Sequence, residues 1–383
     1  MKTNIFSKGG CVMTAIKGQR GLVYCCILIF WFVFGLKVTY PKEEVRLKVA
    51  HYMPPTAPQS MLIEDFCKEL EKRTGGRIKV DYYPAGSLLK APAIFEGVAT
   101  GLADIGYSHI YYTPGKMPVT EVVGLPLGYT SVWVSSHVLN DFYNRFRPKE
   151  FDAVKVLFMN TSSPSAILTT KKQIKRLEDL KGLTLRAPGI AGEVVKALGA
   201  TPAPTPMPEV YDALSKGVLD GDVSNFETLR SFRLGEVVKY VTSIWQVTHP
   251  YPFYFIMNKA SYERLPKDLK PVFDQLVGEY NELFMLRWNS NEFAGMKFAR
   301  ERGVQFYWLP DTEAKRWVEA VQPVIESYVK RMVEKGYKES EVRGWIDFIK
   351  QRIDYWTKQQ IELHIPSPAG PEAILPENLV VVK

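Results

Sequence analysis

The sequence predicts an α/β fold, and three observations lead to this prediction. Segments with the two-residue period of strands alternate with segments that have the 3.6-residue period of helices. Glycines stand just past predicted helix ends, as at Gly101, where glycine readily adopts the backbone conformation that ends a helix. The chain has 383 residues, of which 46% are hydrophobic, so it can build the cores of two domains of ordinary size. This pattern favours a largely parallel sheet and excludes a disordered or fibrous protein.

The predicted strands alternate between apolar and polar residues, or form short apolar runs bounded by turn residues. In RIKVDYY, for example, Ile78, Val80 and Tyr82 share one face. In chain order the predicted strands cover 45–52, 77–83, 154–160, 166–171, 183–189 and 253–258.

The predicted helices carry apolar residues at helical spacing. One of them begins at Pro208, because proline is tolerated at the first position of a helix. Near the C-terminus, Trp345 and Trp356 belong to a single apolar stripe. In chain order the predicted helices cover 60–73, 92–100, 189–200, 208–217, 267–278, 279–302 and 341–362. Several prolines follow, so residues 363–383 are predicted to form a C-terminal surface tail.

Two segments of the chain resemble each other, EGVATGLADIGYS at 96–108 and DALSKGVLDGDVSN at 212–225. Both read as a helix end, a glycine, two residues, an aspartate, and then a short strand that runs into polar residues. The repeat is consistent with one α-to-β unit used once in each of two lobes. Gly-x-x-Asp is also common turn chemistry, so the residues alone leave both interpretations open.

Charge separates the N-terminal segment from the rest of the chain. The formal net charge is +8, but the first 42 residues hold six basic residues and no acidic ones. The remaining 341 residues hold 43 basic and 41 acidic residues, so they are nearly neutral. We therefore expect no nucleic-acid partner, since binding a polyphosphate needs a strong positive field.

An apolar run over residues 21–36 follows Lys17 and Arg20, which is the order of a secretory signal peptide. The run is shorter than the roughly 18 to 20 residues that a membrane-spanning helix needs. We predict that residues 1–40 are a signal peptide or an N-terminal anchor, and that the protein is exported to the periplasm. The absence of a clear cleavage motif leaves both forms open.

The sequence lacks the residue patterns that are typical of enzymes and metal sites. It contains no G-x-S-x-G, P-loop, H-E-x-x-H, C-x-x-C or G-x-G-x-x-G motif, and its histidines at 51, 109, 137, 249 and 364 have no metal-ligand spacing. The only cysteine after the leader, Cys67, falls on the apolar side of a predicted helix and is expected to be a small core residue. We predict no catalytic residues, no cofactor and no metal ion.

Arg186 stands where α/β folds bind ligands, because it ends the predicted strand LTLR and a helix follows from Gly189. A guanidinium can hold a carboxylate through two parallel hydrogen bonds, and a helix N-terminus adds unpaired N–H groups. These features predict a site for a small organic anion. From position alone, the commoner interpretation is a surface arginine paired with Glu178 or Glu193.

Polar and aromatic residues at equivalent strand ends complete the predicted site. The candidates are Asn225 and Glu227 after GDVS, Tyr107 and Ser108 after ADIG, His51 and Tyr52 at the end of the first strand, and the aromatic cluster at 249–255. Each has an alternative. Glu227 could simply begin a helix, His51 could be structural, and the aromatic cluster could be core packing. Glu227 beside a carboxylate ligand would also need a cation, since like charges repel.

Several stretches resemble one family in order and spacing, namely GGRIKVDYYPAGSL, GLADIGY, DLKGLTLRAPG, MPEVYDALSKGVLDG and NKASYERLP. On these motifs the chain, from about 45 to 350, is similar to the extracytoplasmic solute-binding proteins of TRAP transporters, the DctP-like family. The resemblance implies a two-lobed periplasmic binding protein fold with hinge strands and a long helix shared by both lobes. It places lobe I at 45–168 plus 255–297 and lobe II at 169–254 plus 298–362.

The resemblance also implies roles for individual residues. Arg186 matches the family's carboxylate-clamping arginine, and Asn225 stands where a ligand-contacting asparagine is often found. Many members carry a second ligand-side arginine near residue 165, where SSPSAILTT has none. This departure disfavours a dicarboxylate or a sialic-acid-like ligand. It favours a monocarboxylate with an apolar or aromatic body that meets Tyr107, Phe226 and the 249–255 cluster.

We therefore expect a receptor that binds a small organic acid between two lobes and delivers it to the membrane permease subunits of a TRAP transporter. Two alternatives stay open. One is a sensory module that binds a carboxylate, which sequence cannot separate from a transport receptor. The other is a secreted α/β hydrolase or lyase, which the missing nucleophile and base disfavour.

Overall fold

The computed structural model describes residues 44–163, 166–247, 249–368 and 370. The predicted signal peptide or anchor at 1–40, and most of the predicted tail, lie outside these ranges. The fold described below is that of the compact unit that begins at Glu44. Among the described residues, no helix combines the length and the apolar character needed to cross a membrane.

The strands form two sheets. In chain order they are β1 (Val45–His51), β2 (Ile78–Tyr83), β3 (Ile105–His109), β4 (Val154–Thr161), β5 (Ala166–Thr169), β6 (Thr184–Arg186), β7 (Thr201–Ala203), β8 (Gly221–Ser224), β9 (Tyr240–Ser243), β10 (Pro252–Asn258) and β11 (Gln305–Trp308). The first sheet has the order β2-β1-β3-β10-β4, and the second has the order β11-β9-β5-β8-β6-β7. All six strands predicted from periodicity are present, whereas β7, β9 and β11 were not predicted.

The sheets are largely parallel, as predicted, but each contains one strand that runs against the others. In the first sheet, β10 runs antiparallel to β3 and β4. In the second, β5 runs antiparallel to β8 and β9. The chain passes from the first sheet to the second between β4 and β5, and it returns between β9 and β10. The predicted lobe boundaries at 168 and 255 fall inside β5 and β10 and remain a prediction.

Helices cover both sheets. In chain order they are α1 (Pro58–Arg73), α2 (Ile94–Ala99), α3 (Val132–Phe146), α4 (Ile190–Ala197), α5 (Met207–Ser215), α6 (Thr228–Ser231), α7 (Lys259–Glu263), α8 (Lys270–Arg300), α9 (Asp311–Glu334) and α10 (Glu339–Glu362). The sequence divides α8 into two predicted helices near Gly278, but the helix continues through that residue. A glycine inside a helix costs only about 1 kcal/mol, which the packing of a long helix outweighs.

The long helix α8 touches elements of both sheets. On the first-sheet side, the Phe284 ring lies 5.1 Å from that of Phe158 in β4. Further along, a Cβ on Gly295 would lie only 2.0 Å from the carbonyl oxygen of Phe226, in the loop that follows β8. Only glycine permits this approach, so α8 joins the two halves of the fold at the end of β8.

Candidate ligand-binding site

A small cavity lies among residues of both sheets and of α8. Its volume is about 30 Å³, and it is lined by Tyr52, Met53, His109, Ser162, Arg186, Met207, Ser224, Asn225, Glu227, Thr228, Phe232, Tyr251, Phe253 and Trp288. His109 ends β3 of the first sheet, Arg186 ends β6 of the second, and Trp288 lies on α8. A bound molecule would therefore touch both halves of the fold and the helix that joins them.

Arg186 is buried in the wall of this cavity, with 3% of its surface exposed. Its Nε donates to the carbonyl oxygen of Thr205 at 2.9 Å, and its Nη1 lies 3.7 Å from Asp222 Oδ1. The guanidinium carbon lies 5.5 Å from the centre of the Tyr251 ring. The side chain is thus fixed at one edge and held against an aromatic face.

The alternative of a surface arginine does not hold in this structure. Glu178 pairs with Arg316, and Glu193 pairs with Arg331. The sequence predicts that the helix after Gly189 offers unpaired N–H groups to the ligand. In the structure, the Tyr111 ring packs against Gly189, at the N-terminus of this helix. A Cβ at Gly189 would lie 2.2 Å from Tyr111 Cδ1.

Asp222 supplies the buried counter-charge that the sequence did not reveal. It pairs with Arg186 in the register of β6 and β8, and it is fully buried. Its Oδ2 accepts a hydrogen bond from Ser224 Oγ at 2.6 Å, while its Oδ1 faces the guanidinium without a hydrogen bond from any described residue. Burial raises the pKa of Asp222, and the nearby Arg186 opposes this shift.

The loop after β8 is held by a carboxyl group of α8. Glu292 accepts hydrogen bonds from Asn225 Nδ2 at 2.5 Å and from the backbone N–H of Phe226 at 2.9 Å. Burial, with the neighbouring Glu227 adding to it, raises the pKa of Glu292 to about 8. Burial also raises the pKa of Glu227 to about 7. A carboxyl group that stays partly protonated near neutral pH repels a bound carboxylate less than an ionised one.

The structure brings three of the predicted residues, Arg186, Asn225 and Glu227, to one cavity. Glu227 lines the cavity, and it also stands immediately before α6, where the alternative interpretation placed it at the start of a helix. Tyr52 and two aromatic residues of the 249–255 cluster, Tyr251 and Phe253, line the same space.

Four predicted residues lie outside the cavity lining and have other partners. The Tyr107 ring stacks on Phe253 at 5.3 Å, and Ser108 Oγ donates to the carbonyl oxygen of Ala91 at 3.4 Å. The Phe226 ring packs against Phe306 at 5.8 Å. These three side chains fill cores on either side of the site.

His51 has a structural environment. Its Nδ1 accepts a hydrogen bond from the Met53 N–H at 3.2 Å, and its Nε2 lies 2.8 Å from the Tyr82 hydroxyl. Burial lowers its pKa to about 3, so the ring is neutral at physiological pH. Similarly, burial raises the pKa of the Cys67 thiol, which suits the predicted core role.

Sequence reasoning missed His109, Ser162 and Trp288. The ring of His109 lies 3.8 Å from that of Tyr112, whose hydroxyl accepts a hydrogen bond from the backbone N–H of Met207 at 3.0 Å. This hydrogen bond joins the segment after β3 to the start of α5. Burial, with the nearby Arg186 adding to it, lowers the pKa of His109 far below its usual value, so the ring is neutral. Trp288 had no local sequence feature that marked it.

Two α/β halves joined by one long helix, with a buried arginine facing a cavity between them, define a two-lobed solute-binding protein. Residues 49–331 match the family model of the bacterial extracellular solute-binding proteins, family 7, which is named DctP. The chain belongs to this family. The family consists of solute-binding proteins in transport and is not a class of enzymes.

Solved structures of the same architecture support this assignment. A TRAP periplasmic solute-binding protein from Desulfovibrio salexigens is 34% identical, with a TM-score of 0.71 over 82% of this chain and 97% of that one. A TRAP protein from a marine metagenome, specific for aromatic acids and holding metahydroxyphenylacetate, is 29% identical, with a TM-score of 0.77 over 82% and 99%. One from Rhodoferax ferrireducens, holding benzoate, is 28% identical, with a TM-score of 0.77 over 82% and 99%.

Proposed function

We propose that this chain is the solute receptor of a TRAP transporter and that it binds a monocarboxylate with an aromatic or apolar body. One observation carries the proposal, the buried guanidinium of Arg186 in the wall of a largely aromatic and apolar cavity. Among the described residues that line this cavity, Arg186 is the only arginine or lysine. A single clamp suits a single carboxylate.

The guanidinium provides the chemistry of recognition. Its planar N–H groups match the two oxygens of a carboxylate, and the hydrogen bond from Nε to Thr205 fixes the plane of the fork. Asp222 balances part of the buried positive charge, and a ligand carboxylate balances more of it. The neutral rings of His109, Tyr52 and Tyr251 then surround the body of the ligand.

The two solved relatives with aromatic acids support the same ligand class. One holds metahydroxyphenylacetate and the other holds benzoate, and both share the two-lobed fold over 82% of this chain. In this chain, the stretch near residue 165 lacks a second arginine, which would suit a dicarboxylate. We therefore favour an aromatic monocarboxylate over a dicarboxylate.

Binding requires the lobes to move. The cavity measures about 30 Å³, whereas an engineered cavity that binds benzene measures about 150 Å³. An aromatic ring can therefore enter only if the two halves separate. In the complex, the halves must stay further apart than they are in this structure. This is a hinge motion, in which the ligand stabilises a closed form by touching both lobes at once.

Delivery completes the proposed function. The family is extracellular, and the leader predicted at 1–40 would carry the chain across the inner membrane. We propose that the closed, loaded receptor acts in the periplasm and passes its ligand to the membrane permease subunits of the transporter.

Isothermal titration calorimetry with benzoate tests the clamp. Because Arg186→Ala removes the partner of a desolvated carboxylate, it is expected to cost about 2 to 5 kcal/mol, which is at least a thirtyfold loss of affinity. Arg186→Lys keeps the charge but loses the fork, and should also bind weakly. The control is Arg233→Ala, since Arg233 is an exposed arginine paired with Glu236. Unchanged affinity in a folded Arg186 variant would refute the proposal.

A further inference from the structure

Three buried polar atoms in the cavity wall have no hydrogen-bond partner among the described residues. They are Nε1 of Trp288, Oε1 of Glu227 and Nδ1 of His109. Trp288 and Glu227 are each only 3% exposed. A polar group that is buried without a partner costs free energy, so folded proteins keep few of them. Their presence around one small cavity points to matching polar groups on a ligand.

The positions of Trp288 and Glu227 are linked through α8. Trp288 lies four residues before Glu292, so both side chains lie on one face of the helix, one turn apart. Glu292 accepts hydrogen bonds from the N–H groups of Phe226, at 2.9 Å, and of Glu227, at 3.4 Å. The indole of Trp288 therefore stands beside the loop that carries Glu227. Trp288 and Glu227 both line the cavity of about 30 Å³, so a small polar group bound there has both residues as neighbours.

The unpartnered atoms of Trp288 and Glu227 need different hydrogen-bond partners. The indole N–H can only donate a hydrogen bond, so it needs an acceptor. The ionised Glu227 carboxyl group can only accept a hydrogen bond, so its unpartnered oxygen needs a donor. An ether or a carbonyl oxygen would satisfy only Trp288, and an ammonium would satisfy only Glu227. A hydroxyl group satisfies both, because its oxygen accepts from the indole and its proton is donated to the carboxyl group.

We propose that Trp288 and Glu227 form a second polar subsite that binds a hydroxyl group on the body of the ligand. The preferred ligand is then a hydroxy-substituted aromatic carboxylic acid, with its carboxylate on Arg186 and its hydroxyl on the Trp288 and Glu227 pair. This inference rests on the proposed function and adds the specificity of the same site.

Calorimetry on the wild-type chain with matched probes tests the inference. The probes are benzoate, 3-hydroxybenzoate, 4-hydroxybenzoate and the two corresponding methoxybenzoates. At least one hydroxybenzoate should bind about tenfold or more tightly than benzoate, because benzoate leaves both buried groups unpaired. Its methoxy counterpart should lose this advantage, since it accepts a hydrogen bond but cannot donate one.

Two variants assign the advantage to the subsite. Trp288→Phe keeps an aromatic ring and removes the N–H, and Glu227→Leu replaces the carboxyl group with an apolar side chain of similar size. Each should reduce the ratio of hydroxybenzoate affinity to benzoate affinity several-fold relative to the wild-type chain. Trp308→Phe is the matched control, because Trp308 lies on the edge strand β11 with 38% of its surface exposed. Melting temperatures check that each variant is folded.

The outcomes separate this inference from the proposed function. If benzoate and the hydroxybenzoates bind equally well and all depend on Arg186, the subsite is refuted and the clamp stands. If the hydroxyl advantage persists in both variants, the hydroxyl lies elsewhere and the subsite is again refuted. If none of the aromatic acids binds the wild-type chain, both proposals fail.

Discussion

The two repeated α-to-β units, at 96–108 and 212–225, have the same local structure but different ends. Asp104 accepts a hydrogen bond from the backbone N–H of Lys48 at 2.7 Å, and Asp220 accepts one from that of Thr184 at 2.9 Å. In both units the aspartate binds the strand that lies beside its own, β1 in one case and β6 in the other. The echo in the sequence is therefore a structural repeat, in addition to being common turn chemistry.

The two units diverge after the aspartate because their strands differ in length. In the first unit, β3 continues through His109, and its last residues pair with Phe253, Tyr254 and Phe255 of β10. In the second, β8 ends at Ser224, and Asn225 leaves the sheet. The N–H groups past that point bond to Glu292 of α8 instead of to a strand. One end is held by a sheet and the other by a single carboxyl group.

Substitution of Glu292, which holds the loop after β8, should have the largest effect on stability, and this effect should depend on pH. The pKa of Glu292, raised to about 8 by burial, means that the folded protein keeps a proton that the unfolded chain loses above its ordinary value near 4.3. Stability from this group is thus full below about pH 4.3 and is lost as the pH rises to about 8. Between pH 5 and pH 8, the free energy of unfolding of the wild-type chain should fall by about 2 to 4 kcal/mol more than that of Glu292→Gln.

Urea unfolding of wild type and variant at several pH values measures this difference directly. The comparison with wild type is essential, because the buried histidines titrate too. The pKa values of His51 and His249 are lowered to about 3 and about 4, so these residues destabilise the fold on the acid side. Glu319→Gln, at an exposed position of α9, is the control. Parallel pH profiles for wild type and Glu292→Gln would contradict the expected role of this carboxyl group.

Removing the shared aspartate tests the part of the units that is the same. Asp104→Ala and Asp220→Ala each leave a strand N–H without its acceptor, so each should lower the free energy of unfolding by about 1 to 3 kcal/mol. Asp104→Ala should cost more, because Asp104 also binds Ser261 and Arg264. The Asn variants keep an acceptor oxygen and should recover part of the loss. Denaturant unfolding measures all four, and a negligible cost at either position would mean that the shared hydrogen bond does not stabilise the fold there.

The sequence could predict the parts of the fold that depend on local pattern. Periodicity identified most strands, and strand ends located Arg186 and Asn225. It could not predict β10 as an antiparallel partner of β3, because that pairing joins segments more than 140 residues apart. For the same reason it could not place Trp288 and Glu292, whose role depends on where a long helix crosses a distant loop.

The echo does contain a feature that locates the missed histidine. Counted from its aspartate, the residue of the first unit that matches Asn225 is His109, five positions after Asp104. Both residues line the cavity. Ser108 in turn matches Ser224 and not Asn225. The predicted strand ADIG ends at Gly106, whereas β3 continues three residues further, to His109, so the prediction places the strand end at Tyr107 and Ser108.

This equivalence gives the smallest and most specific prediction. If His109 and Asn225 play matching parts on the two lobes, His109→Ala and Asn225→Ala should each weaken binding of an aromatic acid such as 3-hydroxybenzoate by about tenfold, which is near 1.4 kcal/mol. Ser108→Ala, one residue away on the opposite face of β3, should leave the affinity unchanged, because Ser108 bonds to Ala91 outside the cavity. Calorimetry on the three variants decides the matter. Weakened binding in Ser108→Ala, with none in His109→Ala, would mean that the first unit presents its other face to the ligand.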